Sequence, residues 1–176
     1  MAYGIVLRCS NETGAPVRQL WDEAAAFEAA PSMQALNYPP HLTLALYQTC
    51  PTGLLAEVVD RVFLARSAVT LSFSAVRFFR SNSLILWAKP EVTDELLEAH
   101  AGVHKEIDPS NCHEHYRPAS WVPHCTIAAT IPAAASDAAI KWALQKRIDF
   151  SLTFDACDCV QFPPVNVLHE KRLALV

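Results

Sequence analysis

Glycine is scarce in this chain of 176 residues, which contains only 4 of them. None of the glycines forms a GxGxxG or P-loop pattern, so neither a dinucleotide site nor a Walker-type nucleotide site is predicted. Charged residues make up 18 % of the chain and hydrophobic residues 52 %, whereas intrinsic disorder needs the opposite balance. The composition therefore predicts a well-packed globular protein, long enough for one domain or for two small lobes that share a core.

Long hydrophobic runs and an excess of positive charge are also missing. No segment reaches the roughly 18 uninterrupted apolar residues of a membrane helix, and the N-terminus lacks the basic region and apolar run of a signal peptide. We therefore expect a cytoplasmic protein without a membrane partner. The formal net charge of −4 argues against a basic surface for long duplex nucleic acid, but it is compatible with a local site for one phosphate.

Six cysteines are spread along the chain, and the closest two are separated by a single residue. A CxC pair makes a poor disulfide and is, by itself, a weak metal motif. Without an export signal, reduced and buried thiols are the expected state.

Strand-like and helix-like patterns alternate along the chain. Strands are predicted over Tyr3–Cys9, His41–Tyr47, Val69–Phe73, Val76–Phe79, Leu84–Ala88, Val122–Ala129, Phe150–Phe154, Ala156–Phe162 and Val167–Leu175. Four amphipathic helices are predicted around Val17–Phe27, Leu54–Phe63, Leu96–Ile107 and Ile140–Leu144. Hairpins mixed with helices favour α+β layers over a purely parallel sheet.

Two segments share the pattern P-H-x-T-x-A, the first beginning at Pro40 and the second 83 positions later at Pro123. Because a strand alternates its faces, the His and Thr of each motif point to the same side, roughly 6–7 Å apart. The apolar residues between them point to the other side, into a core. A single H-x-T is usually structural, but two unused buried copies would cost polar desolvation twice.

Two imidazoles and two hydroxyls suit phosphodiester chemistry if two similar lobes bring the motifs together across one cleft. We therefore predict His41 and His124 as catalytic residues, and Thr43 and Thr126 as phosphate-binding residues. A neutral imidazole takes a proton from water, while an imidazolium gives one to the leaving oxygen. The hydroxyls donate to the non-bridging oxygens, where negative charge builds. No metal or other cofactor is needed for this chemistry.

With their flanking residues, the paired motifs resemble those of the 2H phosphoesterase superfamily, and in particular the bacterial 2′-5′ RNA ligase-like proteins. The flanks are Tyr38-Pro-Pro before the first histidine and Tyr116-Arg-Pro-Ala-Ser-Trp-Val-Pro before the second. The resemblance implies one α+β domain over residues 1–176, made of two intertwined lobes with one motif in each half. It further implies pseudo-twofold symmetry, with two antiparallel sheets, outer helices and a central cleft.

The resemblance also implies a function. It implies metal-independent hydrolysis of a 2′,3′-cyclic or related phosphodiester, with a small nucleotide or a short RNA end as the partner. It maps the family's histidines onto His41 and His124 and its hydroxyls onto Thr43 and Thr126. His124 is expected to activate water and His41 to protonate the leaving oxygen. Two alternatives stay open: a nucleotide-binding regulatory module without significant turnover, and 2′-5′ RNA ligase activity.

Several further side chains near the motifs are candidates for substrate contacts. The candidates to stack on a base are Tyr38, Tyr47, Tyr116 and Trp121, although packing is the preferred interpretation of each. Arg117 is predicted to steer a phosphate into the cleft, with an exposed and solvated position as the alternative.

Other histidines invite a metal interpretation. His100 and His104 are spaced i, i+4 on a predicted helix, and His113 and His115 flank Glu114 in a predicted loop. A third ligand is not evident for either pair. A solvated helix face and a polar loop are therefore the preferred predictions.

Overall fold

The computed structural model describes residues 1–175. Within that range the chain forms the strands β1 (Ala2–Arg8), β2 (His41–Tyr47), β3 (Val69–Arg80), β4 (Leu84–Pro90), β5 (Cys125–Ile131), β6 (Arg147–Phe154), β7 (Ala156–Phe162) and β8 (Asn166–Arg172). The helices are α1 (Ala15–Ala24), α2 (Ser32–Ala35), α3 (Thr52–Val62), α4 (Asp94–Glu106) and α5 (Ala133–Gln145). Short 3-10 turns lie at Glu12–Gly14, Ala25–Phe27, Pro109–Asn111 and Glu114–Tyr116.

The strands form one antiparallel sheet in the order β6-β3-β4-β5-β2-β1-β7-β8. The two central strands, β5 and β2, are joined only by the residue pair Leu42 and Cys125. The sheet therefore consists of two four-stranded halves that meet at this pair, with one H-x-T motif on each side. The predicted α+β class with antiparallel strands is confirmed, but the two expected sheets are continuous through this single contact.

Helices α1 and α4 each cross between the two halves of the sheet. Helix α1 connects β1 to β2, yet it packs on β5 of the other half. Helix α4 connects β4 to β5, yet it packs on β2. The main core lies between the helices and the sheet face that carries Leu42 and Cys125. These crossed connections interlock the two halves around the central pair.

Local sequence signals explain where the helices that flank the site begin. Helix α1 has a proline in its first turn, and it buries Val17, Leu20, Trp21 and Ala24, which recur at helical spacing. Helix α4 begins after Thr93, whose side chain accepts a hydrogen bond from the backbone N–H of Leu96. The sequence therefore places both helices through their apolar stripes and their first turns.

Several strand predictions change in the structure: β6 begins at Arg147 rather than Phe150, and β8 ends at Arg172 rather than Leu175. The predicted strands before and after Ser74 are one strand, β3, whose register shifts between Phe73 and Ala75. Strand β5 begins at Cys125 rather than Val122, which is consistent with a proline at position 123 that cannot donate to a ladder. All six cysteines are free thiols, as expected. Among residues 1–175, no helix is both long enough and apolar enough to span a membrane.

Candidate active site

The four motif side chains lie together on one face of the sheet. Because Leu42 pairs with Cys125 in an antiparallel register, His41 is opposite Thr126 and Thr43 is opposite His124. Leu42 and Cys125 are buried on the other face. Diagonal neighbours on such a pair lie about 7–8 Å apart, so the two imidazoles are within reach of one small group. The predicted convergence of the two motifs is therefore present in the structure.

The two histidines make matching hydrogen bonds. Nδ1 of His41 lies 3.0 Å from the carbonyl oxygen of Pro39, and Nδ1 of His124 lies 2.7 Å from that of Val122. Since a carbonyl oxygen only accepts, Nδ1 carries the proton on each ring. The Nε2 atom of each neutral imidazole is left as the proton acceptor for chemistry.

Burial makes both imidazoles harder to protonate. Desolvation lowers the pKa of His41 below the ordinary histidine value, and the nearby charge of His124 lowers it further. Desolvation also lowers the pKa of His124. In each case the backbone carbonyl partially offsets the shift. Near neutral pH both rings are therefore neutral in the free protein, and each is able to accept a proton.

A buried ionic network borders His41. Arg8 is its partner in register on β1, and Nε of Arg8 lies 3.1 Å from Oδ2 of the fully buried Asp158. Arg8 also pairs with Glu170. The Tyr38 hydroxyl donates to Asp158 at 2.5 Å, and its ring lies edge-on to His41 at 5.1 Å. Tyr38 is therefore a wall of the site rather than a stacking platform, because it is itself buried.

Aromatic side chains surround His124 instead. The ring of Phe79 lies 5.2 Å from His124 and 4.8 Å from Trp87, on which it stacks. Trp87 lies 6.0 Å from His124, and Tyr116 lies 6.4 Å away. The two histidines therefore differ in their neighbours, with a charged network on one side and apolar rings on the other.

A cavity of about 400 Å³ opens beside His124. It is lined by Leu46, Phe79, Arg80, Ser81, Ile85, His113, His115, Tyr116, Ser120, Val122 and His124. Within residues 1–175, no acidic side chain lines this cavity, although the chain as a whole has a net charge of −4. Apolar walls with a few polar groups and this volume suit a small organic ligand.

Tyr47 does not reach the cavity, so its prediction as a substrate contact is wrong. Its side chain is fully buried. The register between β1 and β2 shifts where Ile5 pairs with Ala45 and Val6 with Thr43. Such a shift reverses the alternation of faces beyond it, so Leu46 lines the cavity and Tyr47 enters the core.

Arg117 and Trp121 make other contacts and do not line the cavity, so their roles in substrate binding stay predictions. The Arg117 guanidinium donates to the carbonyl oxygens of Cys112 and Ser110 at 2.9 and 3.0 Å, and thereby ties the loop together. Trp121 stacks on His100, with ring centres 3.8 Å apart, rather than presenting its face to the cavity. Tyr116 is thus the one predicted aromatic residue that lines the cavity.

His100 and His104 are buried, so the expected solvated helix face is wrong. Nε2 of each ring lies 2.9 Å from the carbonyl oxygen of Tyr116, because α4 packs this face inward. Burial lowers the pKa of His100 to about 4. His113 and His115 lie on the cavity wall, with ring centres 5.1 Å apart. Among residues 1–175, no three or more His, Cys, Asp or Glu side chains are grouped to hold a metal ion.

Sequence reasoning missed Arg8, Phe79, Trp87 and Asp158. Trp87 is opposite Thr126 on β4, and Arg8 is opposite His41 on β1. These neighbours exist only because of the strand order. Nothing in their local sequence indicates which strand will lie beside them.

Comparison with known proteins identifies the family of the chain. The fold is that of the 2H phosphoesterases, as the structural neighbours below indicate. A sequence model of the 2′-5′ RNA ligase superfamily matches residues 12–162, and the chain belongs to that superfamily. No curated protein matches the chain with significant similarity.

Solved structures share the fold at low sequence identity. TT0787 of Thermus thermophilus is 17% identical with a TM-score of 0.68, and the match covers 99% of both chains. E. coli LigT complexed with 3′-AMP is 15% identical with a TM-score of 0.64, covering 97% of both chains. E. coli LigT complexed with NADP+ is 16% identical with a TM-score of 0.60, covering 98% of this chain and 96% of the other.

Proposed function

We propose that this protein hydrolyses a 2′,3′-cyclic or related nucleotide or RNA-end phosphodiester by two-histidine acid-base catalysis, without a metal. The observation that carries this proposal is the matched pair of motifs. His41 and His124 lie on one face, each with its proton held on Nδ1 by a backbone carbonyl. Thr43 and Thr126 lie beside them on the same face. This arrangement provides two proton-transfer groups and two hydroxyl donors around one phosphate.

The reaction assigns one task to each group. The neutral imidazole takes a proton from water as the water oxygen forms a bond to phosphorus. The imidazolium gives its proton to the ribose oxygen as the bond from phosphorus to that oxygen breaks. The two threonine hydroxyls donate to the non-bridging oxygens, where charge increases in the transition state. The product is a phosphomonoester, and proton exchange with water restores the starting protonation of the two histidines.

The cavity beside His124 supports an orientation for the nucleoside. A nucleoside between Phe79 and Tyr116 would place its ribose oxygen nearest His124. The attacking water enters in line, on the side opposite the leaving oxygen, which is the side of His41. We therefore propose His41 as the base and His124 as the acid for hydrolysis, the reverse of the assignment expected from the sequence.

Solved relatives support a small nucleotide as the ligand class. E. coli LigT has been crystallised with 3′-AMP, with ATP and with NADP+. The cavity volume of about 400 Å³ lies within the usual range for ligands of this size.

The six free thiols fit a reducing cytoplasm as the place of action.

Hydrolysis by metal-free protein tests the proposed function. Protein treated with EDTA is incubated with 2′,3′-cyclic nucleotides and with 2′-5′ and 3′-5′ dinucleotides, and the phosphorus products are identified by NMR. A phosphomonoester from one of these substrates is expected. Tight nucleotide binding without any product would instead favour a regulatory module. Joined 2′-5′ product from RNA ends, without hydrolysis, would favour a ligase.

The pH dependence follows from the lowered pKa values. The base must be neutral, so kcat/KM rises with pH through the lower apparent pKa of the pair; the acid must be protonated, so kcat/KM falls above the higher one. Since both histidines have pKa values below the ordinary value, which is about 6.5, the maximum of kcat/KM is expected below about pH 6.5. A plateau that extends to pH 8 would contradict this prediction.

A substrate with sulfur in place of the leaving ribose oxygen tests the two roles. A thiolate leaves without protonation, so loss of the acid matters less. For His124→Ala, we expect the loss of kcat relative to the wild type to be about 10²-fold smaller on the sulfur substrate than on the oxygen substrate. His41→Ala should show no such recovery, because the water still needs a base. If only His41→Ala had a smaller loss of kcat on the sulfur substrate, His41 would be the acid and His124 the base.

A further inference from the structure

Two tryptophans make the same hydrogen bond to the two motifs. The indole Nε1 of Trp21 donates to the carbonyl oxygen of Thr126 at 3.0 Å. The indole Nε1 of Trp121 donates to the carbonyl oxygen of Thr43, also at 3.0 Å. The backbone of the threonine in each motif therefore accepts a hydrogen bond from an indole N–H.

These hydrogen bonds occur where the sheet provides little support. Strands β2 and β5 pair only at Leu42 and Cys125, so the backbone ladder fixes the relative position of the two motifs at one point. Thr43 and Thr126 flank that point. The two indoles supply hydrogen bonds at the positions where a longer ladder would have continued.

The two bonds cross between the halves of the molecule. Trp21 lies on α1, which leads into the first motif, but it binds Thr126 of the second motif, 105 positions away. Trp121 leads into the second motif, but it binds Thr43 of the first, 78 positions away. Each half thus makes one hydrogen bond to the motif of the other half.

Both indoles are themselves held firmly. Trp21 is buried in the core. Trp121 lies flat on His100, with an interplanar angle of 5°, and His100 is anchored to the Tyr116 carbonyl oxygen. An indole has only one polar atom, which is a donor, so each ring retains a single fixed partner. A side chain with so little freedom is suited to fixing a backbone position.

We propose that Trp21 and Trp121 are positioning residues that set the distance and orientation of the two His-Thr pairs around one phosphate. The geometric part stands on the contacts alone, and the effect on turnover rests on the proposed function. Loss of one indole N–H lets one threonine hydroxyl and its neighbouring histidine drift. Drift of about 1 Å at a catalytic group lowers the rate by as much as 10²-fold.

Phenylalanine substitutions test this proposal with little change in packing. Trp21→Phe and Trp121→Phe are each expected to lower kcat by about tenfold, with a smaller change in KM. Trp142→Phe is the matched control, since Trp142 packs on Phe27 at 5.9 Å, outside the site. A control variant as impaired as the other two would overturn the proposal.

Double-mutant cycles make the test specific to the crossed pairs. Trp21→Phe combined with Thr126→Val should be strongly non-additive, and so should Trp121→Phe combined with Thr43→Val. The opposite combinations, Trp21→Phe with Thr43→Val and Trp121→Phe with Thr126→Val, should be closer to additive. Equal coupling in all four combinations would show a general loss of structure and overturn the proposal.

A measurement on the wild-type protein tests the proposal even if the variants fail to fold. It also tests the proposal if the protein catalyses a reaction other than the one proposed. Inorganic phosphate is titrated into ¹⁵N-labelled protein while the indole N–H resonances are followed. We expect the Trp21 and Trp121 signals to shift together and to exchange with solvent more slowly than the Trp142 signal. If no substrate is turned over, the proposed function fails while these signals still test the positioning. Exchange as fast as that of Trp142 would overturn it.

Discussion

We expect His41→Ala and His124→Ala each to lower kcat by about 10²–10⁴-fold, the usual contribution of a positioned general acid or base. Each imidazole keeps Nε2 for proton transfer because its Nδ1 proton is held by a backbone carbonyl, from Pro39 in one case and Val122 in the other. Alanine removes the ring and leaves this task to water. The rates are measured with a 2′,3′-cyclic nucleotide and metal-free protein.

The double variant and a distant histidine complete this experiment. Because the two histidines act in one proton transfer cycle, the double variant should lose much less than the product of the two single losses. His169→Ala is the control, since His169 lies on β8 with Nε2 3.0 Å from Asp60, and its rate should equal that of the wild type. Thermal unfolding midpoints close to wild type would exclude misfolding as the cause. A single variant with unchanged kcat would contradict its assigned role.

We expect Thr43→Val and Thr126→Val each to lower kcat by about 10²–10³-fold, as loss of a donor to a developing oxyanion does elsewhere. Valine keeps the shape of threonine and removes the hydroxyl. The two hydroxyls lie diagonally across the central pair of strands, each opposite a histidine. They are therefore placed to donate to different non-bridging oxygens of the same phosphate. The loss should fall mainly on kcat if the bonds strengthen in the transition state.

Serine variants separate the hydroxyl from the packing of the side chain. Thr43→Ser and Thr126→Ser retain the donor and lose only a methyl group, so most of the wild-type kcat should return. Comparison of serine and valine at the same position gives the effect of the hydroxyl by itself. Valine variants that turn over as fast as their serine counterparts would remove the hydroxyls from the mechanism.

The sequence predicts the parts of the site that depend on local periodicity. In each motif His and Thr are two residues apart, and alternation alone puts them on one face. Strand β2 has the predicted bounds, His41–Tyr47. Tyr47 fails as a prediction because β2 has an extra residue, Leu44, where its register with β1 shifts, and this reverses the alternation beyond Thr43. A shift of this kind depends on the partner strand, which local sequence does not identify.

The surroundings of the two histidines depend on contacts between distant segments. Phe79 and Trp87 reach His124 because β3, β4 and β5 are neighbours in the sheet. His100 is buried because α4 packs across the other half of the molecule. The same crossing allows each tryptophan to bind the opposite motif. No short sequence pattern encodes these contacts between distant segments. They therefore cannot be predicted from the sequence until the strand order is known.

The most direct test of two-histidine catalysis is the hydrolysis of a 2′,3′-cyclic nucleotide in EDTA by wild-type protein and by the His41→Ala/His124→Ala double variant. We expect a phosphomonoester from the wild type at pH 6, and a rate at least about 10²-fold lower from the variant. Equal rates for the two proteins, or product from the wild type only after a divalent metal is added, would contradict this mechanism.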